Sequence, residues 1–129
     1  MNSPLMSHDE LNIDLKTEDD GRTLVYSLRG SLDIATSPTV RAALTDAAGR
    51  EHQDIIVDLS GLEFLDSTGL GALIGAHRRC AESNGSFRLV VREGPISRLL
   101  NITGLIRILA VYNTLEDARA NQDRVVATL

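Results

Sequence analysis

Asp66-Ser67-Thr68-Gly69-Leu70-Gly71 is the segment whose residue types and spacing best suit chemistry. It follows the apolar run Ile55-Ile56-Val57-Asp58-Leu59 and opens a stretch with helical periodicity. A serine at a strand-to-helix junction meets the free N–H groups and positive dipole end of a helix, a suitable place to carry a phosphate. Three uses of Ser67 follow. Asp66 or Ser67 can simply cap the helix, which both residue types do well. Ser67 as a catalytic nucleophile fits poorly, because the segment is not Gly-x-Ser-x-Gly and an activated serine needs a base in reach. His8 and His52 lie in polar segments, and His77 lies nearly three turns along the same expected helix. As a phosphoacceptor, Ser67 would gain about −1.5 to −2 charge beside Asp66, changing the local potential without a need to refold.

The glycines invite a phosphate-loop reading that the spacing does not support. Gly69, Gly71 and Gly75 are one residue too long for G-x-G-x-x-G, and the chain has no Walker lysine. Close approach of another backbone or of a partner is the better use for them. Asp33, in Gly30-Ser31-Leu32-Asp33, reads first as a turn residue. His77 and Cys80 supply only two metal ligands and are expected at the core or its edge. Asp58 and Glu63 are expected to be solvated charges at a strand end and in a loop.

The elements that must position these residues are legible from period and punctuation. Leu11, Ile13 and Leu15 alternate with polar residues, Asp19-Asp20-Gly21 is a turn signal, and Leu24, Tyr26 and Leu28 alternate again. A hairpin of residues 11–16 and 22–29 is expected. Ser37-Pro38 reads as an N-cap followed by proline at the first helical position, with Val40, Ala43, Leu44 and Ala47 on one face and Gly49 as C-cap. Residues 54–59 predict a central strand. A helix from Asp66 carries Leu70, Leu73, Ile74, His77, Cys80 and Ala81 and ends before Gly85. Phe87 to Val91 predicts a strand, Gly94-Pro95 a short helix with Ile96, Leu99 and Leu100, and Arg107 to Tyr112 a last strand. Thr114 with Asp117 resembles a capping box for a final helix. The order ββαβαβαβα predicts an α/β fold: one domain with a mixed four- to five-stranded sheet and about four helices mainly on one face.

Composition narrows the function classes. With 129 residues and 43% hydrophobic content the chain can bury one core, and with 3% aromatics that core must be aliphatic. A net charge of −5 without a basic stripe argues against nucleic acid. The single cysteine leaves no intrachain disulfide and no structural zinc set. The start of the sequence has no signal-peptide pattern, and no apolar run reaches the roughly 18 residues of a membrane span. A cytoplasmic protein without membrane contact is expected, with residues 1–9 as a flexible tail, 10–120 as the domain and 121–129 as a helix end or frayed tail.

Three segments in order resemble the STAS-domain family, specifically the stand-alone bacterial anti-sigma factor antagonists. Gly30-Ser31-Leu32-Asp33-Ile34-Ala35-Thr36 is similar to that family's Gly-Glu-Leu-Asp segment, with Ser31 in place of the usual Glu. Leu59 to Gly71 resembles its phosphorylation loop and helix start, and Ile102-Thr103-Gly104-Leu105 its third-helix exit. The resemblance implies a non-enzymatic regulator without cofactor or metal, a monomer or weak dimer. It implies that the unphosphorylated antagonist binds an anti-sigma factor that is also a serine kinase and so frees the sigma factor. Phosphorylation on Ser67 then releases it, and a metal-dependent serine phosphatase resets it. By position, Asp33 and Asp66 would flank Ser67, and Thr68, Gly69, Leu70 and Gly71 would form the docking helix start. Two other classes remain open: a STAS scaffold subunit of a larger signalling or lipid-transport assembly, and a nucleotide sensor using Gly69–Gly75.

Overall fold

The structure, a computed structural model, describes residues 11–127; the expected tail, residues 1–9, lies outside them. Strands β1 (Leu11–Glu18) and β2 (Thr23–Leu32) form the expected hairpin. Asp19, Asp20 and Gly21 between them all have positive φ, a conformation that Asp and Gly tolerate better than most residues. Then follow α1 (Ser37–Ala48), β3 (Asp54–Leu65), α2 (Ser67–Glu82), β4 (Ser86–Val90), α3 (Pro95–Ile102), β5 (Ala110–Tyr112) and α4 (Leu115–Ala120). The sheet order is β1-β2-β3-β4-β5, antiparallel at the first pair and parallel thereafter. The expected architecture is therefore the observed one.

Two apolar faces divide the core. Leu24, Tyr26, Leu28, Ile55, Val57, Phe87, Leu89 and Val111 line the larger, under α1, α2 and α3. On the reverse face Val25, Ile56, Val90 and Tyr112 pack with Ala118 and Leu115 of α4. The helices thus lie mainly on one face, α4 being the exception. Thr114 Oγ1 accepts from Asp117 N–H at 3.0 Å to start α4, the first half of the expected capping box. Beyond α4 the chain turns back along β5, with Val125 N–H donating to the Val111 carbonyl at 2.8 Å.

Several boundaries depart from the sequence reading: both hairpin strands run past their expected ends at 16 and 29, to Glu18 and Leu32. β3 continues to Leu65, past the expected end at 59, because β2 runs beside it as far as Leu32 through two register shifts. Gly61 permits this, since a Cβ there would sit 2.6 Å from Arg29 Cγ. Asp58 is consequently a half-buried mid-strand residue whose carboxylate accepts from Ser60 N–H, and Glu63 is an exposed strand residue, not a loop charge. The last strand begins at Ala110 and not Arg107: Gly104, at φ +78, starts a 3-10 turn over Leu105–Arg107 that consumes the expected strand start. Ser37 is not the cap of α1 but its first residue, only 2% exposed, with Thr36 in the cap position.

Gly85 fits its place for a steric reason. A Cβ there would lie 2.2 Å from the Gln53 carbonyl oxygen, so only glycine lets the end of α2 meet the start of β3. Cys80 is buried, and desolvation with the nearby Asp54 charge pushes its thiol up to about 11. His77 is half-buried, edge-on to Phe87 at 6.2 Å, with Nδ1 buried and unpartnered. Burial, then the Arg124 and Arg78 charges, hold its pKa below the ordinary 6.5. The folded state therefore resists a proton that the unfolded chain accepts. Its destabilising effect is absent above the ordinary value and grows as pH falls through 6.5 towards the lowered folded value. Between pH 7.5 and pH 5.5, His77→Phe is expected to lose less Tm than the parent in thermal melts; equal losses would mean that His77 does not drive the acid sensitivity.

Candidate functional site

The C-terminal ends of β2 and β3 lie side by side, Leu32 opposite Leu65, so the loops leaving them share one corner. Asp33 builds the first loop. Its Oδ1 accepts from the N–H groups of Ala35 (3.0 Å) and Thr36 (3.1 Å), and its carbonyl accepts from Thr36 and Ser37 N–H. Thr36 Oγ1 accepts from Asp33 N–H at 2.9 Å and donates to the Ser31 carbonyl at 2.7 Å. The polar ends of this turn are satisfied before Ser37, which explains why the serine need not cap α1. Asp33 is thus a turn residue, as its sequence context suggests, and it sits in the same corner as Ser67.

Asp66 builds the second loop and joins it to the first. Its Oδ1 accepts from Gly69 N–H at 2.9 Å, capping α2, while Oδ2 accepts from Ile34 N–H at 3.2 Å across the corner. Asp66 N–H in turn donates to the Leu32 carbonyl at 3.2 Å. One carboxylate thereby fixes both the helix start and the β2–α1 loop. Asp66→Ala should cost about 1–2 kcal/mol in denaturant unfolding, at the upper end for a helix cap because a second hydrogen bond is lost with it. A loss indistinguishable from zero would contradict this role.

Ser67 occupies the first position of the 16-residue α2 and is exposed. Among the described residues nothing holds its hydroxyl. Thr68 and Gly71 are half-buried, whereas Gly69 and Leu70 are buried and face inward. A Cβ on Gly69 would lie 2.7 Å from Leu32 Cγ and 2.8 Å from both the Leu32 carbonyl oxygen and Leu65 Cδ1. This glycine thus serves the chain's own close packing. Gly75 differs: it is exposed, and nothing lies within 4 Å of the Cβ it lacks. Arg41 of α1 also approaches the helix, its Nη2 being 3.5 Å from the missing Gly71 Cβ.

The six residues expected around Ser67 are therefore brought together, but in unequal ways. Asp33, Asp66, Gly69 and Leu70 build the corner; Ser67, Thr68 and Gly71 present a surface from it. Sequence reasoning missed two exposed apolar side chains in the segments that meet at this corner, Ile34 at 74% exposure and Phe64 at 51%. Ile34 donates its N–H to Asp66, and Phe64 immediately precedes Leu65 at the end of β3. The signal available was an isoleucine inside a polar turn and one of only two phenylalanines in the chain.

A parallel sheet with an outlying antiparallel strand, and an exposed serine at the start of a capped helix, define a small α/β domain. The family model of the STAS domain matches residues 14–118, and the chain belongs to that family. The anti-sigma F factor antagonist of Paenibacillus polymyxa is 31% identical over 104 residues, covering 80% of this chain and 89% of that protein. Among solved structures, an anti-sigma factor antagonist from Mycobacterium paratuberculosis superposes with a TM-score of 0.77 at 28% identity, covering 94% of this chain and 97% of the other. The Bacillus cell fate determinant SpoIIAA in its phosphorylated form gives a TM-score of 0.64 at 25% identity over 85% and 98% of the two chains. The relatives of this chain are thus anti-sigma factor antagonists, and the general regulatory role follows.

Proposed function

We propose that this protein is a partner-switching antagonist controlled by phosphorylation of Ser67. Unphosphorylated, it binds an anti-sigma factor of the serine-kinase type and frees the sigma factor. The observation that carries this reading is the free Ser67 hydroxyl on a surface whose acidic neighbours are already engaged within the fold. A relative that exists in a phosphorylated form supports it. Ser67 is exposed at the start of α2, so the charge added by a phosphate would have to be desolvated if a partner docks there.

In the transfer, Ser67 Oγ attacks the γ-phosphorus of ATP held by the kinase. The bond from that phosphorus to the bridging oxygen breaks, ADP leaves, and the serine proton passes to a base on the kinase. The helix N-terminus tolerates the product, so the fold persists while the docking surface gains about −1.5 to −2 charge. A metal-dependent serine phosphatase hydrolyses the phosphoserine and restores the binding form. The domain proper, residues 10–120, would act in the cytoplasm without contact to nucleic acid or membrane.

The test is a complex of this protein with its anti-sigma kinase, followed by size-exclusion chromatography. The complex should form without ATP and dissociate after Mg-ATP as Ser67 becomes phosphorylated. A complex that persists with Ser67 fully phosphorylated would overturn the switch.

A further inference from the structure

β1 ends the sheet, and among the described residues β2 is the only strand that pairs with it. The opposite end is managed differently: residues after α4 lie against β5, with Val125 N–H on the Val111 carbonyl and the Arg124 guanidinium on the Leu109 carbonyl. An open edge eight residues long is a template for another strand. At its centre Asp14, Leu15, Lys16 and Thr17 are all exposed. Leu15, at 54%, projects on the helix-covered side opposite Tyr26 but beyond the cover of the helices.

We propose that β1 pairs antiparallel with β1 of a second copy of this chain, about a two-fold axis through Leu15. The pleat limits the choices. A two-fold axis normal to the sheet keeps each face on its own side, and directly opposed residues share a face, so the axis must pass through a residue and not between two. Centred on Asp14, the pairing sets two carboxylates against each other. Centred on Lys16, it opposes two ammonium groups and places Asp14 against Glu18 twice. Centred on Leu15, it faces Leu15 with its own copy and sets Asp14 opposite Lys16 twice, with Asn12 opposite Glu18 and Ile13 opposite Thr17. Of these three central registers, only that one joins opposite charges and covers the exposed leucine. Arg29 of β2 meets Asp14 at 3.7 Å, so this carboxylate already has one cation near it and Lys16 of the second copy would be its second. Glu18 is held inside its own copy by Arg119 at 2.6 and 3.0 Å, and so does not oppose the pairing.

A contact of one strand edge is smaller than the roughly 1,200–2,000 Å² of stable complexes, so the dimer is weak and concentration-dependent. The register gives it a sharp test. In oxidation of the full chain by copper phenanthroline, Leu15→Cys should form a disulfide-linked dimer, because the two Cα atoms on the axis are about 4.5–5.5 Å apart. Thr17→Cys, equally exposed, should not, because its copies lie about 13 Å apart along the strands. Native Cys80 is buried and serves as the background. Equal cross-linking at both positions, or none at 15, overturns the proposal. Sedimentation velocity gives a second reading without a cysteine. Asp14→Lys and Lys16→Asp should each abolish the dimer, and their equimolar mixture should restore it as a heterodimer. Single variants that associate as the parent does, or a mixture that stays monomeric while both fold by circular dichroism, would contradict the register.

Discussion

Replacing Ser67 with aspartate or glutamate is expected to weaken the complex with the anti-sigma kinase about tenfold to a hundredfold, ~1.4–2.8 kcal/mol. The same substitutions should leave Tm within a few degrees of the parent. The two effects separate because Ser67 is exposed at the first position of α2. In the free protein the new carboxylate stays in water and meets the positive end of the helix, which stabilises it slightly. In the complex it would be taken out of water against the partner, and desolvation of an unpaired charge is costly. A carboxylate carries less charge than a phosphate, so the phosphoprotein should bind more weakly still. Ser67→Ala should bind within a few-fold of the parent, and calorimetry of the three variants against one kinase preparation checks the series. Tight binding by both acidic variants would remove Ser67 from the interface.

Gly69→Val should destabilise the domain by about 3 kcal/mol and weaken partner binding with it. The obstruction includes the Leu32 carbonyl oxygen, 2.8 Å from the missing Cβ, and backbone cannot turn aside as a side-chain end can. Either α2 backs away from β2, breaking the Asp66–Ile34 hydrogen bond, or the strand ends separate. Gly75→Ala, two turns further on, should do the opposite and stabilise by about 1 kcal/mol, because an open helical glycine only forfeits helix propensity. Urea unfolding of the pair compares the two effects on one helix. A stable Gly69→Val would mean that the corner is not close-packed. If Gly75→Ala gains stability but loses affinity for the kinase, the open glycine is where a partner comes close.

The sequence displayed most of this architecture because its elements carry strong local signals. α1 and α2 have apolar faces at helical spacing, the β1–β2 turn carries Asp-Asp-Gly, and α4 starts at a threonine that caps it. The misreadings arise where tertiary pairing outweighs local pattern. The second half of β3 looks like a loop until β2 is placed beside it, and the start of the expected last strand is drawn into a turn by Gly104. The site follows the same division. A serine at the helix start and a cap at Asp66 or Ser67 are readable from the strand-to-helix junction alone; that Asp66 takes the cap is not. The reach of Asp66 to Ile34 joins residues 32 apart, and the exposure of Phe64 depends on what fails to cover it. Neither leaves a trace in periodicity.

The central claim is tested most directly by incubating the protein with the proposed anti-sigma kinase and ATP, then measuring intact mass and mapping the modified peptide. The predicted result is a single phosphate on Ser67, with no label on Ser67→Ala under the same conditions. A phosphate on Thr68 or another hydroxyl in the parent, or full labelling of Ser67→Ala, would contradict the account.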